Sequence, residues 1–231
     1  MIARAKERLA GVNIWDDICE AHRAQHEGKL ELTERQYVRA LFAERFVQGN
    51  PDTAKMFTKG YPEVSIFWTV EVPDYDPVRC KARIDYLKKA GPVDLKTFSL
   101  QRGMTFNKGV MTAIARERYD IQAAHYLAGV RAMKGLPVFG TDDQQAFVAT
   151  VDTDTPQWAW VFQKTTDAPL ARSYRFDNGS IAFGAARHEV EGAIYQFCKH
   201  RKEFGMGKPW LYAEPTKVVD DGDLPAWMGQ D

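Results

Sequence analysis

The spacing of apolar residues changes along the chain, and each change marks an element. Short helices are predicted over residues 2 to 10 and about 14 to 27. Leu32-Thr33 opens a stronger helix, with Thr33 as N-cap and Gln36 completing a capping box. Tyr37, Ala40, Leu41 and Phe46 form its apolar stripe, and Gly49-Asn50-Pro51 ends it. Pro51 can start a further short helix, 52 to 58. Pro62 to Val70 is rich in β-branched and aromatic residues and reads as a strand. Pro73 to Pro77 is a turn. Cys80 to Leu87 and Val93 to Phe98 are two more strands, joined by a turn at Ala90-Gly91-Pro92. Strands in series predict an antiparallel meander. A polar loop carrying Arg102 and Lys108 leads to a long helix, about Val110 to Lys134. Its apolar surface is Ile121, Ala124, Leu127, Ala128 and Val130. Gly135 to Gln157 is turn-rich and reads as irregular. Trp158 opens a strand of near-continuous apolar character, which suits a central, doubly covered position. Arg172 to Phe176 is a further strand, and Ser180 to about Phe204 the last long helix. The tail from Trp210 to Asp231 reads as extended and docked by Trp210 and Trp227.

These elements predict an α/β (α+β) fold, a central sheet flanked by helices with extra helices at the N-terminus. A chain of 231 residues, 45% apolar, can bury one sizeable core. No Ser/Gly/Pro-rich linker divides it. A single domain is therefore expected, with a helical part at 1–60, a core at 61–165, and a C-terminal strand, helix and tail at 166–231. Formal net charge is zero, so any attraction for nucleic acid must come from a local groove or a metal site. Cys19, Cys80 and Cys198 have no CxxC spacing, which argues against a zinc ribbon or an iron–sulfur cluster. Three reduced thiols suit a cytoplasmic protein. No apolar run approaches the ~18 residues of a membrane span, so no membrane partner is expected. The charged N-terminus lacks a signal-peptide core and starts as if inside a helix, so a preceding segment is expected.

The chemistry gathers on the second and third strands. Asp94 and Lys96 are two apart and share a sheet face, and Asp85 sits near the end of the neighbouring strand. A hairpin can bring two carboxylates and one ammonium together. That set suits metal-assisted phosphodiester hydrolysis: Mg²⁺ binds through one or two carboxylates and keeps several waters, and a lysine can orient a water or stabilise phosphate charge. Asp-x-Lys alone also fits a solvated surface hairpin. Gln122 and Tyr126 lie four apart and share a helix face. His22 and His26 have metal-compatible spacing, but no HExxH pattern accompanies them, and they read as a solvated pair.

Taken together, the motifs resemble the PD-(D/E)XK nuclease superfamily, in particular the branch of lambda-type exonuclease, exodeoxyribonuclease VIII (RecE) and the RecB nuclease domain. Glu63-Val-Ser-Ile-Phe-Trp followed by Cys80-Lys-Ala-Arg-Ile-Asp85 is similar to phage and prophage exodeoxyribonuclease VIII-like domains. Val93-Asp94-Leu95-Lys96-Thr97 is similar to the second-carboxylate and lysine strand. Tyr119-Asp-Ile-Gln122-Ala-Ala-His-Tyr126 resembles the Gln-x-x-x-Tyr motif. The resemblance implies a restriction-endonuclease-like core with a mixed central sheet. It implies a Mg²⁺-dependent deoxyribonuclease, with Mn²⁺ able to substitute, and most closely a double-strand exonuclease of phage or prophage recombination. A structure-selective or single-strand endonuclease and a catalytically silent DNA-binding relative are the alternatives. Asp85, Asp94 and the Leu95 carbonyl are the implied metal ligands. Lys96 is implied to position or activate water, Gln122 to order the site, and Tyr126 to pack beside it and contact DNA. Glu63 reads as support for its strand. Arg83, on the Asp85 face by period two, joins Arg102 and Lys108 as a DNA-binding candidate. The resemblance further implies a ring-shaped homo-oligomer and a partnership with a single-strand annealing protein. Ile84-Asp85 stands where the family often has Pro-Asp. The upstream Gly-x-x-x-His or Glu motif has no match before Glu63, and His22, His26 and Glu44 do not fit it by position. That ligand is expected upstream of Met1, or the metal is held by fewer side chains.

Overall fold

The structure is a computed structural model that describes residues 20, 24–25, 32–165, 170–207, 209–210, 219–220 and 222–223. The chain separates into two compact units, Met1–Phe46 and Val47–Asp231. The predicted helices at 2 to 10 and 14 to 27, with His22 and His26, lie almost wholly outside the described residues. So do Cys19, Trp227 and most of the tail.

Helix α1, Glu34–Gly49, begins at the expected capping box. The Gln36 amide donates to Thr33 Oγ1 at 3.3 Å, and the Thr33 amide donates to Gln36 Oε1 at 2.8 Å. Its predicted apolar stripe does not face inward. Tyr37 is 54% and Phe46 41% exposed, and Val47 is the buried residue.

In the second unit, Asn50 caps the short helix α2, Pro51–Ala54, and a 3₁₀ turn over Lys55–Phe57 follows. Strands β1 (Gly60–Val70), β2 (Val78–Lys88) and β3 (Gly91–Phe98) form the predicted meander. Strands β4 (Trp158–Lys164) and β5 (Leu170–Phe176) complete a five-stranded sheet in sequential order. The pair β3–β4 is parallel and the others antiparallel, so the sheet is mixed as expected. The hairpin turn is tighter than predicted. Gly91 and Pro92 belong to β3, and only Lys89 and Ala90 lie between the strands. The Lys89 and Ala90 carbonyls accept from the Asp152 and Gln157 amides, both at 2.7 Å, which ties the turn to the chain entering β4.

The long helix predicted over 110 to 134 is two helices, α3 (Phe106–Glu117) and α4 (Tyr119–Ala132). Arg118 breaks it with a left-handed φ of 53°. No Gly or Pro signals this break. Arg118 holds the bend by ion pairs to Asp120 (3.2 Å) and Glu189 (2.8 Å), the second from far along the chain. The stretch 135–157 is not wholly irregular. Helix α5, Asp142–Val148, starts there from a capping box of Thr141 and Gln144. Helix α6, Ile181–Phe204, is capped by Ser180 and packs on α4.

Both faces of β4 are buried, as its composition predicts. Trp158, Trp160 and Phe162 pack with Ala123, Ala124, Leu127, Phe183 and Ala186 from α4 and α6. On the other face Ala159 and Val161 join Val93, with Met56, Phe57 and Tyr86 against them. Trp210 packs on Phe197 and His200, with ring centroids 5.1 and 5.9 Å away.

The chemistry is placed by a short pairing in the sheet. Strand β2 pairs with β3 only over Tyr86–Lys88 against Gly91–Val93. Beyond Tyr86 the strands part, and β2 continues with β1 as a two-stranded ribbon out to Val70 and Val78. The inner side of the ribbon, with Ile66, Trp68, Ala82 and Ile84, packs on Val130 of α4.

Candidate active site

The fork between β2 and β3 opens at Asp85 and Asp94, one residue past the last paired couple, Tyr86 and Val93. Parting leaves the Leu95 amide without a β2 backbone partner, and the Asp85 carboxylate takes that place: Leu95 N donates to Asp85 Oδ2 at 3.1 Å. The N–H and C=O of a strand residue project to the same side. The Leu95 carbonyl therefore looks into the fork with its amide. At this point the β1–β2 ladder loses one couple, Glu63 with Asp85, while its register is kept on either side. Glu63 has a left-handed φ of 56°, and the ladder skips Glu63 between Pro62–Tyr86 and Val64–Ile84.

Asp94 is buried, with 2% of its surface exposed, on the side of the sheet covered by α4. Gln122 Nε2 donates to its Oδ1 at 3.1 Å. Lys96 Nζ donates to the same oxygen at 3.1 Å and lies 2.8 Å from Oδ2. Oδ2 receives no hydrogen bond and is held by the ion pair alone. Burial pushes the Asp94 carboxyl above the ordinary carboxylate range. The Lys96 hydrogen bond and charge oppose that shift, the Asp85 charge adds to it, and the Gln122 hydrogen bond opposes it. Lys96 is itself fixed from beneath: its Nζ lies 4.5 Å from the centroid of the Tyr119 ring. Sequence reasoning misses Tyr119, although it stands three residues before Gln122, the spacing that shares a helix face.

The structure thus brings Asp94, Lys96 and Gln122 together, with Asp85 across the fork. Tyr126, one turn beyond Gln122, packs edge-on against Trp158 at 5.8 Å, within the core. Arg83 pairs with Glu63. Arg83 and Asp85 are both exposed in the alternation of β2, and the slip comes between Ile84 and Leu87, which share one core cluster while Tyr86 packs in another. Arg102 lies in the loop before α3 and Lys108 in the first turn of α3, both exposed. Glu44 is exposed on α1.

The donor set suits a hard divalent cation. Two carboxylates flank the fork, the Leu95 carbonyl lies on the same side of β3 as its amide, and Asp94 Oδ2 is a buried oxygen with no hydrogen bond. Among the described residues no cluster of three or more His, Cys, Asp or Glu joins them. Also among them, no helix is long and apolar enough to cross a membrane.

A mixed sheet with a carboxylate–carboxylate–lysine fork is the core of the PD-(D/E)XK nuclease superfamily. Residues 17–171, more than half of the chain, match the model of DUF3799, a PDDEXK-like domain of unknown function, and the chain belongs to that family. No curated protein matches it. A crystal structure from Eubacterium rectale described as "putative exonuclease" is similar over 97% of this chain and 73% of its own, with a TM-score of 0.53 and 15% identity, which shows the fold. The crystal structure of SSO0001 is similar over 69% of this chain and 57% of its own, at 14% identity and a TM-score of 0.33.

Proposed function

We propose that this chain is a divalent-metal-dependent deoxyribonuclease that works as one nuclease domain and hydrolyses DNA phosphodiester bonds by direct attack of water. The observation that carries the reading is Asp94, a buried carboxylate held by Lys96 and Gln122 at the mouth of a fork whose other side is Asp85. Asp85, Asp94 and the Leu95 carbonyl would hold Mg²⁺, or Mn²⁺ in its place. The bound ion supplies positive charge against the scissile phosphate and lowers the pKa of a water. Lys96, fixed between Asp94 and the Tyr119 ring, orients the attacking water and offers charge to the phosphate. Gln122 keeps the Asp94 carboxylate in place.

Within this class we favour a double-strand exonuclease of a phage or prophage recombination system, acting in the cytoplasm on duplex ends. The sequence likeness to exodeoxyribonuclease VIII-like domains supports it. The same likeness supports a ring-shaped homo-oligomer and a single-strand annealing partner. The test uses end-labelled linear duplex and closed circular duplex with Mg²⁺ or Mn²⁺. Shortening of the linear DNA alone is the expected result, and cutting of the circle removes the exonuclease assignment. Full activity in Asp94→Ala or Lys96→Ala removes the site assignment.

A further inference from the structure

The outer side of the β1–β2 ribbon is chemically unlike the rest of this neutral chain. On β2 the inward positions are Val78, Cys80, Ala82 and Ile84, so Arg79, Lys81 and Arg83 point outward, and all three are exposed. The outward positions of β1 facing them are Thr69, Phe67 and Ser65, in the register Thr69–Arg79, Phe67–Lys81 and Ser65–Arg83. Phe67 is 68% exposed, at the centre of the row and directly across from Lys81. Arg79 and Lys81 have no ion-pair partner among the described residues, whereas Arg83 shares Glu63. The row ends two residues before Asp85, at the mouth of the fork.

We propose that this face, turned away from α4 and running along β2 towards Asp85, is a track for single-stranded DNA in which Arg79, Lys81 and Arg83 take successive phosphates and Phe67 stacks on a base. The inference rests on the nuclease reading and adds the form in which the substrate meets the protein. Outward cations alternate along a strand with a spacing of about 6.8 Å, so a chain of phosphates can follow them. The aromatic ring decides between single strand and duplex. A stacking platform needs an open base face, which paired DNA does not offer along its side. Charge complementarity alone would serve either form. The exposed Phe67 in the middle of the cations serves only the first.

The test measures binding with no divalent metal, in EDTA, by anisotropy of a fluorescein-labelled oligo-dT at several salt concentrations. The wild-type chain is expected to bind. Arg79→Gln combined with Lys81→Gln is expected to lower the log–log salt slope by about 1.4, roughly 0.7 for each single-strand phosphate that is no longer neutralised. Phe67→Ala is expected to weaken oligo-dT binding about tenfold with the slope unchanged. Phe67→Trp is expected to retain binding, with its indole fluorescence quenched by the oligonucleotide. Absence of binding by the wild type, or an unaltered slope in the double variant, overturns the track. Equal weakening of blunt duplex and oligo-dT by Phe67→Ala overturns the single-strand assignment. Hydrolysis is read separately with Mg²⁺. A chain that binds through this face but cuts no DNA upholds the track and overturns the nuclease reading. A chain that cuts DNA while the double variant binds unchanged overturns the track alone.

Discussion

The Asp85 carboxylate stands in for a missing strand: it accepts the hydrogen bond of the Leu95 amide, at 3.1 Å, where β2 has parted from β3. One residue therefore serves the fold and the proposed metal site. Its two duties separate by substitution. Asp85→Asn keeps a carbonyl acceptor for Leu95 and should melt like the wild type while losing hydrolysis. Asp85→Ala should lose hydrolysis and also about 1 kcal/mol of stability. Parallel thermal melts and cleavage assays check this, and equal melting of both variants would refute the structural half.

Asp94 holds its proton more tightly in the folded protein than in the unfolded chain, because burial raises its pKa. Its ionised form thus costs stability above the folded pKa, and the cost disappears as pH falls through that pKa towards the ordinary carboxylate range. Without divalent metal, Asp94→Asn should melt above the wild type at pH 7, by about 2–4 °C for each kcal/mol recovered. The gap should narrow on acidification. A constant gap from pH 7 to pH 4 would contradict the assigned cause.

Tyr119 should matter to catalysis through its ring and not its hydroxyl. Tyr119→Phe keeps the face under Lys96 and should retain activity. Tyr119→Leu should lower kcat by about 2- to 30-fold, the range of a cation–π interaction between exposed and desolvated settings. Equal loss in both variants would point to the hydroxyl.

His125 behaves in the opposite sense to Asp94. It packs on Trp68 at 4.9 Å, and burial lowers its pKa, with a hydrogen bond to the Lys81 backbone opposing. Stability tied to the neutral ring is complete above the ordinary imidazole pKa and is lost as pH falls through it towards the folded value. In an Asp94→Asn background, replacing His125 by Phe should flatten the stability profile below about pH 6.5. Urea midpoints at stepped pH would show it, and an unflattened profile would assign the acid limb elsewhere.

Much of the fold is legible in local spacing. The capping box at Thr33, the β-branched run of β1 and the unbroken apolar run of β4 each state their structure within a few residues. The break at Arg118 is not legible. It lacks a glycine, and one of the carboxylates that hold it, Glu189, lies far along the chain. Helix α5 is readable from Thr141 and Gln144, by the same signal that marks Thr33. At the site, two-residue spacing gives Asp94 and Lys96 their common face, and helix spacing brings Gln122 forward. The slip in alternation between Ile84 and Leu87 lies beside the left-handed Glu63 of the next strand, and no pattern within β2 announces it.

Gly91 should be intolerant of any side chain. Its φ is 132°, and a Cβ there would lie 2.2 Å from the Gln157 carbonyl oxygen. Gly91→Ala should cost about 1–3 kcal/mol or more, read as a lower urea midpoint. A wild-type midpoint would mean that the turn and the Gln157 strand entry can move apart.

The mixed sheet also dictates an order of assembly. The half of β3 that carries Asp94 and Lys96 has lost β2 as a neighbour, and its ladder runs only to β4, where Lys96 faces Phe162. Local pairing can make the β1–β2 ribbon early, but it cannot set the lysine. That waits for a partner tens of residues later, so the slow, long-range closure of the chain is the step that arms the site. A nascent polypeptide that has not yet delivered β4 carries both carboxylates and no fixed lysine.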